Sequence, residues 1–176
     1  MAILIAYYSR AGENYFGGAY RRIAFGNTEK AAKMLADLTG GKLYQIRQAQ
    51  PYAEDYQTCI AEAKADLQKT ARPAVPDLPE DLAAYDEIYL GYPNYWGTMP
   101  MAVYTFLEHY DFTGKIIRPF CTHEGSGLSG TVGSIRAAAS GATVLDGLAI
   151  TKTTAQNDPA ETANEVDRFL KDLPQP

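Results

Sequence analysis

The stretch that most constrains this chain is an apolar run that ends abruptly in a small, polar loop and is followed by an amphipathic helix. Ala2-Ile3-Leu4-Ile5-Ala6-Tyr7-Tyr8 is too short to cross a membrane, and it is rich enough in branched and aromatic residues for a buried strand. Ser9-Arg10-Ala11-Gly12-Glu13-Asn14 breaks the run. A helix starts at Asn27-Thr28-Glu29, and Ala31, Met34, Leu35 and Leu38 give it an apolar face at i, i+3, i+4, i+7 spacing. A strand, a hydroxyl- and glycine-bearing loop and a helix N-terminus make a place for a phosphate, because free N–H groups and the helix dipole both favour an anion there. An ordinary strand-to-helix connection has the same pattern, so the rest of the chain must decide.

The 176 residues suit a single domain spanning 1–176 with a full core, and no apolar run approaches the roughly 18 residues of a membrane span. The N-terminus enters a strand with no basic segment or cleavage site before it, which predicts a cytoplasmic protein. Cys59 and Cys121 belong to no CxxC and are expected to be reduced and buried. His109 and His123 have no companions at metal-ligand spacing, so no metal site is expected. A formal charge of −5 argues against nucleic acid and for protein partners with basic docking surfaces.

The segment from Ser9 to Gly26 reads as a loop beyond the usual limit of about 12–15 residues, a length that tends to mark function. Tyr15, Phe16, Tyr20, Ile23 and Phe25 make it too apolar for a solvated linker; it is expected to fold over the site or to supply a contact surface. Arg21 and Arg22 are within reach of an anion or form a solvated pair.

Lys42–Arg47 reads as a half-polar edge strand, and Tyr56, Ile60, Ala63 and Leu67 mark a helix that ends before Pro73. Residues 86–92 form a third strand stopped by Pro93. A helix follows with Pro100 in its first turn and Val103, Phe106, Leu107 and Tyr110 on one face. Residues 115–121 are a fourth strand, Val132, Ile135 and Ala139 mark a short helix, and residues 142–145 are a weak fifth strand. Asp158-Pro159-Ala160-Glu161 is a capping box opening a last helix with Val166, Phe169, Leu170 and Leu173 on its apolar face. Strands alternating with helices predict an α/β protein: one doubly wound, five-stranded parallel sheet with helices on both faces. The second and fifth strands are the weakest, which suits the order 2-1-3-4-5, with them at the edges. A ligand then belongs at the switch point, between the loops after the first and third strands.

Three loops carry candidate chemistry. Pro93-Asn94-Tyr95-Trp96-Gly97-Thr98-Met99 puts two aromatics at the end of a central strand, a wall for a flat heterocycle or a staple for the next helix. Thr122-His123-Glu124-Gly125-Ser126-Gly127 has glycines that let a ligand approach the backbone. Residues 125–130 also fit G-x-G-x-x-G, with Asp146 about 20 residues on, but too little chain follows for a second dinucleotide half. No G-x-S-x-G is present, which argues against a nucleophile-elbow hydrolase.

With these loops in place the chain resembles a flavodoxin over nearly its whole length, and flavodoxins are the standard example of the order 2-1-3-4-5. The resemblance rests on residues 9–14 with Gly26-Asn27-Thr28-Glu29, on 93–100, and on Phe120-Cys121 with 122–127. It is strongest to a short-chain type in which an insertion, here Tyr15 to Phe25, splits the phosphate loop. The resemblance implies FMN as cofactor. Ser9, Ala11, Gly12, Asn14, Asn27 and Thr28 would cradle its phosphate, and Arg10 would add charge or face solvent. Tyr95 and Trp96, with Pro93 and Asn94 in the same loop, would lie against the isoalloxazine ring. Thr122, His123, Glu124, Gly125, Ser126 and Gly127 would offer backbone N–H groups to its pyrimidine edge, and a peptide beside Gly97 would be free to flip. It also implies a low-potential cytoplasmic electron carrier, monomeric or weakly dimeric. An FMN-dependent NAD(P)H oxidoreductase acting on quinones would use the same fold and cofactor. A regulatory module without flavin would not need all three loops.

Overall fold

The computed structural model describes residues 2–172; Leu173, assigned above to the last helix, lies outside the described residues. In chain order the first half comprises β1 (Ile3–Tyr7), β2 (Gly12–Phe16), β3 (Ala19–Ile23), α1 (Asn27–Thr39), β4 (Lys42–Gln45) and α2 (Tyr56–Gln68). The second half comprises β5 (Glu87–Pro93), α3 (Met101–His109), β6 (Ile116–His123), α4 (Thr131–Ala138), β7 (Thr143–Val144), β8 (Leu148–Thr151), α5 (Lys152–Asn157) and α6 (Pro159–Lys171). The main sheet runs β4-β1-β5-β6-β7, with β8 also on β6, and all of its pairings are parallel. Counted over the main strands, this is the expected 2-1-3-4-5 order with its fifth member divided.

The sheet is buried on both sides, so β1 carries apolar residues at every position. Leu4, Ala6 and Tyr8 face a core completed by Ile88, Leu90 and Tyr92 of β5 and by Val103 and Phe106 of α3. Ile5 and Tyr7 face the opposite core with Ala31 and Leu35 of α1, Phe120 of β6 and Val166 of α6. Gly91 makes one close approach possible: it stands beside Phe120 across the β5–β6 ladder, and a Cβ there would run into the Phe120 ring.

Three features differ from the sequence reading. The long loop from Ser9 to Gly26 contains a two-stranded antiparallel hairpin, β2 on β3. Gly17 and Gly18 turn it with φ of +59° and +76°, the left-handed pair of a type I′ turn that only glycine adopts freely. Asn14, Phe16 and Ile23 are buried, and the hairpin thereby closes over the carboxyl end of the sheet. Second, the fifth strand is split. Thr143 N–H and Leu145 N–H donate to Lys115 O and Ile117 O, so the odd-numbered residues of β6 face this edge. The next residue in that series is Pro119, which has no N–H to donate. The partner strand leaves after Val144 and rejoins at Leu148, opposite Phe120.

Third, the segment after β8 is a short helix, α5, which the sequence reading left unassigned. Thr151 caps it by accepting from Thr154 N–H at 3.1 Å. A smaller difference is that Pro100 sits at the N-cap of α3 and not inside its first turn. Half of the box at 158–161 forms: Asp158 accepts from Glu161 N–H at 2.9 Å, but the Glu161 carboxylate accepts from Asn164 and Arg168, and the Asp158 N–H donates to Thr154 O instead. Cys59 and Cys121 are free and buried, and burial pushes both thiols up, Cys121 to about 12. No helix among the described residues is long and apolar enough to cross a membrane.

Gly91→Ala tests the close approach at Phe120. Overpacking of this kind costs about 1–3 kcal/mol, so the urea midpoint should fall while the m-value stays unchanged.

Candidate functional site

β1 and β5 run side by side, but the chain leaves them for opposite faces. After β1 it reaches α1 on one side, and after β5 it reaches α3 on the other. The crevice at their carboxyl ends is therefore bounded by the loops after β1, β5 and β6, as the strand order requires.

The first wall is the loop after β1, held against the start of α1. Gly26 precedes the helix and offers no side-chain cap. Ser9 supplies one from a distance, its hydroxyl accepting from Glu29 N–H at 3.0 Å. A Cβ on Gly26 would strike Ser9 Oγ and the Arg10 backbone, so only glycine allows this approach. Asn14, in β2, folds back and donates from Nδ2 to Arg10 O at 3.1 Å. Thr28 shares a 2.8 Å hydrogen bond with Thr122 of β6, and both hydroxyls are buried.

These residues enclose one cradle. Ser9, Arg10, Asn14, Asn27, Thr28, Pro93, Tyr95 and Thr122 line a cavity of about 10 Å³, together with Lys152, the first residue of α5. Asn27 Oδ1 is buried there with no hydrogen-bond partner. Burial pushes the Lys152 ammonium below the ordinary lysine value, an effect opposed by Glu124 nearby. The hydroxyls, amides, ammonium and the N–H groups of the helix start that Ser9 does not cap suit a phosphate, and no carboxylate lines the cavity. Its volume matches a single water, so a phosphate enters only as side chains move apart.

Arg10 is not directed solely at this space. Its guanidinium donates to the carbonyls of Glu13, Ala53 and Glu54, the second at 2.8 Å, and so ties the loop to the segment before α2. Ala11 lies beyond it in a neighbouring cavity bordered by Gln45 and Arg47. Gly12 opens β2, where its carbonyl lies 3.4 Å from Asn14 Nδ2. Of the two hairpin arginines, Arg22 pairs with Glu54, and Arg21 lies over the Phe16 ring with its Nε on Phe16 O at 3.3 Å.

The second wall is the loop after β5. Trp96 and Gly97 form a tight turn with φ of +56° and +78°, closed by reciprocal hydrogen bonds between the backbones of Tyr95 and Thr98. Asn94 fixes it, Oδ1 accepting from Gly97 N–H at 2.9 Å while Nδ2 donates to Gly127 O at 2.9 Å. The peptide beside Gly97, expected to be free to flip, thus has its Gly97 N–H held by Asn94. Tyr95 buries its hydroxyl near Tyr8, Cys59 and Arg10, which raises its pKa well above the ordinary value, chiefly by desolvation. Trp96 turns toward α2: Nε1 donates to Ile60 O at 2.9 Å, and the Lys64 ammonium lies 4.9 Å from the ring centre. A cleft of about 180 Å³ remains between Tyr56, Ile60, Asn94, Tyr95 and Trp96.

The third wall is the loop after β6. Gly125 N–H donates to His123 Nδ1 at 2.9 Å, and Ser126 O accepts from Ser129 Oγ at 3.1 Å. Burial lowers the pKa of His123, keeping its Nδ1 available as that acceptor. Glu124 reaches across the crevice and accepts from Gly17 N–H, in the hairpin turn, at 3.1 Å. The larger cavity of about 560 Å³ between residues 145–149 and α6 shares no residue with these loops.

Sequence reasoning missed Lys152 and Tyr56. Leu148-Ala149-Ile150 followed by Thr151-Lys152-Thr153-Thr154 repeats, in weaker form, the strand-then-hydroxyl pattern of the N-terminus. Tyr56 was assigned only to a helix face, yet its ring packs with Tyr15 and Tyr20 of the hairpin at centroid distances of 6.0 and 5.8 Å.

The flavodoxin family pattern matches residues 18–166, and the chain belongs to that family. Among solved structures it is similar to a protein classed as a flavoprotein from Bacteroides eggerthii, with 26% identity and a TM-score of 0.73 over 96% of this chain and 98% of that one. A second protein so classed, from Bacteroides uniformis, shares 26% identity with a TM-score of 0.69 over 88% and 95%. A flavoprotein from Lactobacillus acidophilus, solved in complex with FMN, shares 20% identity with a TM-score of 0.59 over 96% and 98%, a likeness of fold. No curated protein matches the chain.

The Glu124–Gly17 contact has a direct test. Removing an exposed hydrogen bond worth about 1 kcal/mol should speed exchange of the Gly17 amide roughly fivefold in Glu124→Ala, with global stability nearly unchanged. Amide exchange followed by NMR reads both quantities.

Proposed function

We propose that this chain binds FMN in the crevice and serves as a one-electron carrier between protein partners. The observation that carries the reading is the crevice itself: a phosphate-suited cradle at the start of α1 and an aromatic cleft beside it, at the switch point of a flavodoxin-family sheet. Bound FMN would supply a redox centre able to take up and release electrons singly.

The residues divide the work. Ser9, Asn14, Asn27, Thr28 and the first N–H groups of α1 receive the phosphate, whose charge the helix dipole also favours. Tyr95 and Trp96, with Tyr56 of α2, border the space for the ring and exclude water from its faces. The 122–127 loop would hold the polar edge of the ring, where donors favour developing negative charge, through N–H groups other than that of Gly125, which donates to His123. The carrier reading draws on the hairpin: Tyr15, Tyr20 and Tyr56 form one aromatic cluster beside the cleft. Hydride transfer from a nicotinamide needs an open ring face within about 3–3.5 Å of the donor carbon, whereas a carrier needs only an exposed edge. The charge of −5 suits partners with basic docking surfaces.

The purified protein should release FMN and not FAD on denaturation, and FMN added to the flavin-free protein should quench Trp96, the only tryptophan. Colourless protein that takes up no FMN would overturn the proposal. Mixed anaerobically with NADPH or NADH, the holoprotein should bleach slowly. A flavin reductase with a basic docking face should reduce it quickly, at a rate that falls with salt, given a Debye length of about 10 Å at 0.1 M. Fast bleaching by a nicotinamide nucleotide followed by turnover with a quinone would make the protein an oxidoreductase instead.

A further inference from the structure

We propose that the ammonium of Lys152 is the counter-charge for the FMN phosphate, a role that rests on the cofactor reading above. Sheet register brings the residue there. Thr122 pairs with Ile150 and His123 with Thr151, so the chain leaves β8 level with the loop after β6. α5 then packs on α1, where Lys30 Nζ donates to Gln156 O at 2.8 Å. Residue 152 is thereby delivered to the cavity that Ser9, Asn27, Thr28 and Thr122 also line.

The burial of Lys152 points to an anion as its partner. Lys152 is only 5% exposed, and none of the ion pairs among the described residues includes it. Buried lysines are rare unless paired, because an isolated charge in a protein interior is costly. Asn27, 4% exposed in the same cavity, has a side-chain oxygen with no partner; that oxygen only accepts, so it is the Nδ2 end of the amide, turned about χ2, that would meet an anion. The competing charges are engaged elsewhere. Arg10 is spent on three backbone carbonyls, and Glu124 accepts from the Gly17 amide. Lys152 is therefore the cavity-lining cation without an ion pair among the described residues; its charge faces the Tyr56 ring, whose centre lies 6.0 Å from Nζ. The cavity it shares with Ser9, Asn27 and Thr28 favours the phosphate, and the comparison of two flavins below separates this from a role at the ring, which Tyr56 also borders.

The test compares FMN with riboflavin, which lacks the phosphate. Flavin-free parent, Lys152→Met and Lys152→Arg are titrated with each ligand, with flavin fluorescence as the readout, and their thermal unfolding is recorded without ligand. Loss of a charge-assisted contact should weaken FMN about 10- to 100-fold in Lys152→Met, leave riboflavin within about twofold, and be partly restored in Lys152→Arg. The flavin-free Lys152→Met protein should melt no lower than the parent, since an unpaired buried charge has been replaced by an apolar side chain of similar length. Inorganic phosphate should raise the melting temperature of the parent more than that of Lys152→Met. Equal losses for the two flavins would place Lys152 against the ring or in the framework and overturn the inference, as would unchanged FMN affinity. A Lys152→Met protein that does not fold would overturn the account of its burial, and Lys152→Arg then still reports the ratio of the two affinities. A parent that binds neither flavin would defeat the cofactor reading itself.

Discussion

The approach of the Ser9 loop to the start of α1 holds the rest of the site in place. The Ser9 hydroxyl stands in for the cap that Gly26 cannot provide, and Gly26 is small enough to let it in. The same contact sets the position of Thr28, which reaches across β5 to Thr122 on β6. One helix terminus is thus pinned both to the loop after β1 and to β6. A methyl group on Gly26 would separate them, and both hydroxyl contacts would be lost together.

The two additions to the basic α/β scaffold meet at this same place. The hairpin is tied by its turn to Glu124, and Gly17 also lies against Thr153 of α5. Its far end is braced by Arg10 and by the Arg22–Glu54 pair to the segment before α2. The insertion therefore does not hang from the sheet as a loop. It is a small sheet of its own, clamped at both ends, with its tyrosines packed on Tyr56.

Most of the fold could be read from the sequence because a doubly covered sheet writes itself in continuous apolar runs such as residues 2–8 and 88–92. Helix faces and the cap at Asp158 were equally legible. What escaped was decided by pairing rather than by composition. The hairpin was hidden because Arg21 and Arg22 interrupt the alternation of β3, although Gly17-Gly18 was a turn signal in plain view. The break in the fifth strand depends on which edge Pro119 faces, and a sequence does not tell which side of a strand a missing N–H lies on. Of the residues named in advance, Ser9, Arg10, Asn14, Asn27, Thr28, Pro93, Tyr95 and Thr122 converge on one cavity. Trp96 and Gly97 lie outside it, held by Ile60 and Asn94. Lys152 was invisible because its significance comes from burial, which no local pattern announces.

The two cysteines have a consequence for the durability of the protein. Thiols react with peroxides as thiolates, and burial keeps Cys59 and Cys121 protonated, with Cys121 pushed up to about 12. Cys121 stands on β6 immediately before Thr122, and Cys59 lies within the influence of the Tyr95 hydroxyl, so both are close to the crevice. A flavin-bearing carrier of the kind proposed above would be exposed to oxidants generated at its own centre. Sulfur placed there fills the core while offering little thiolate for an oxidant to attack.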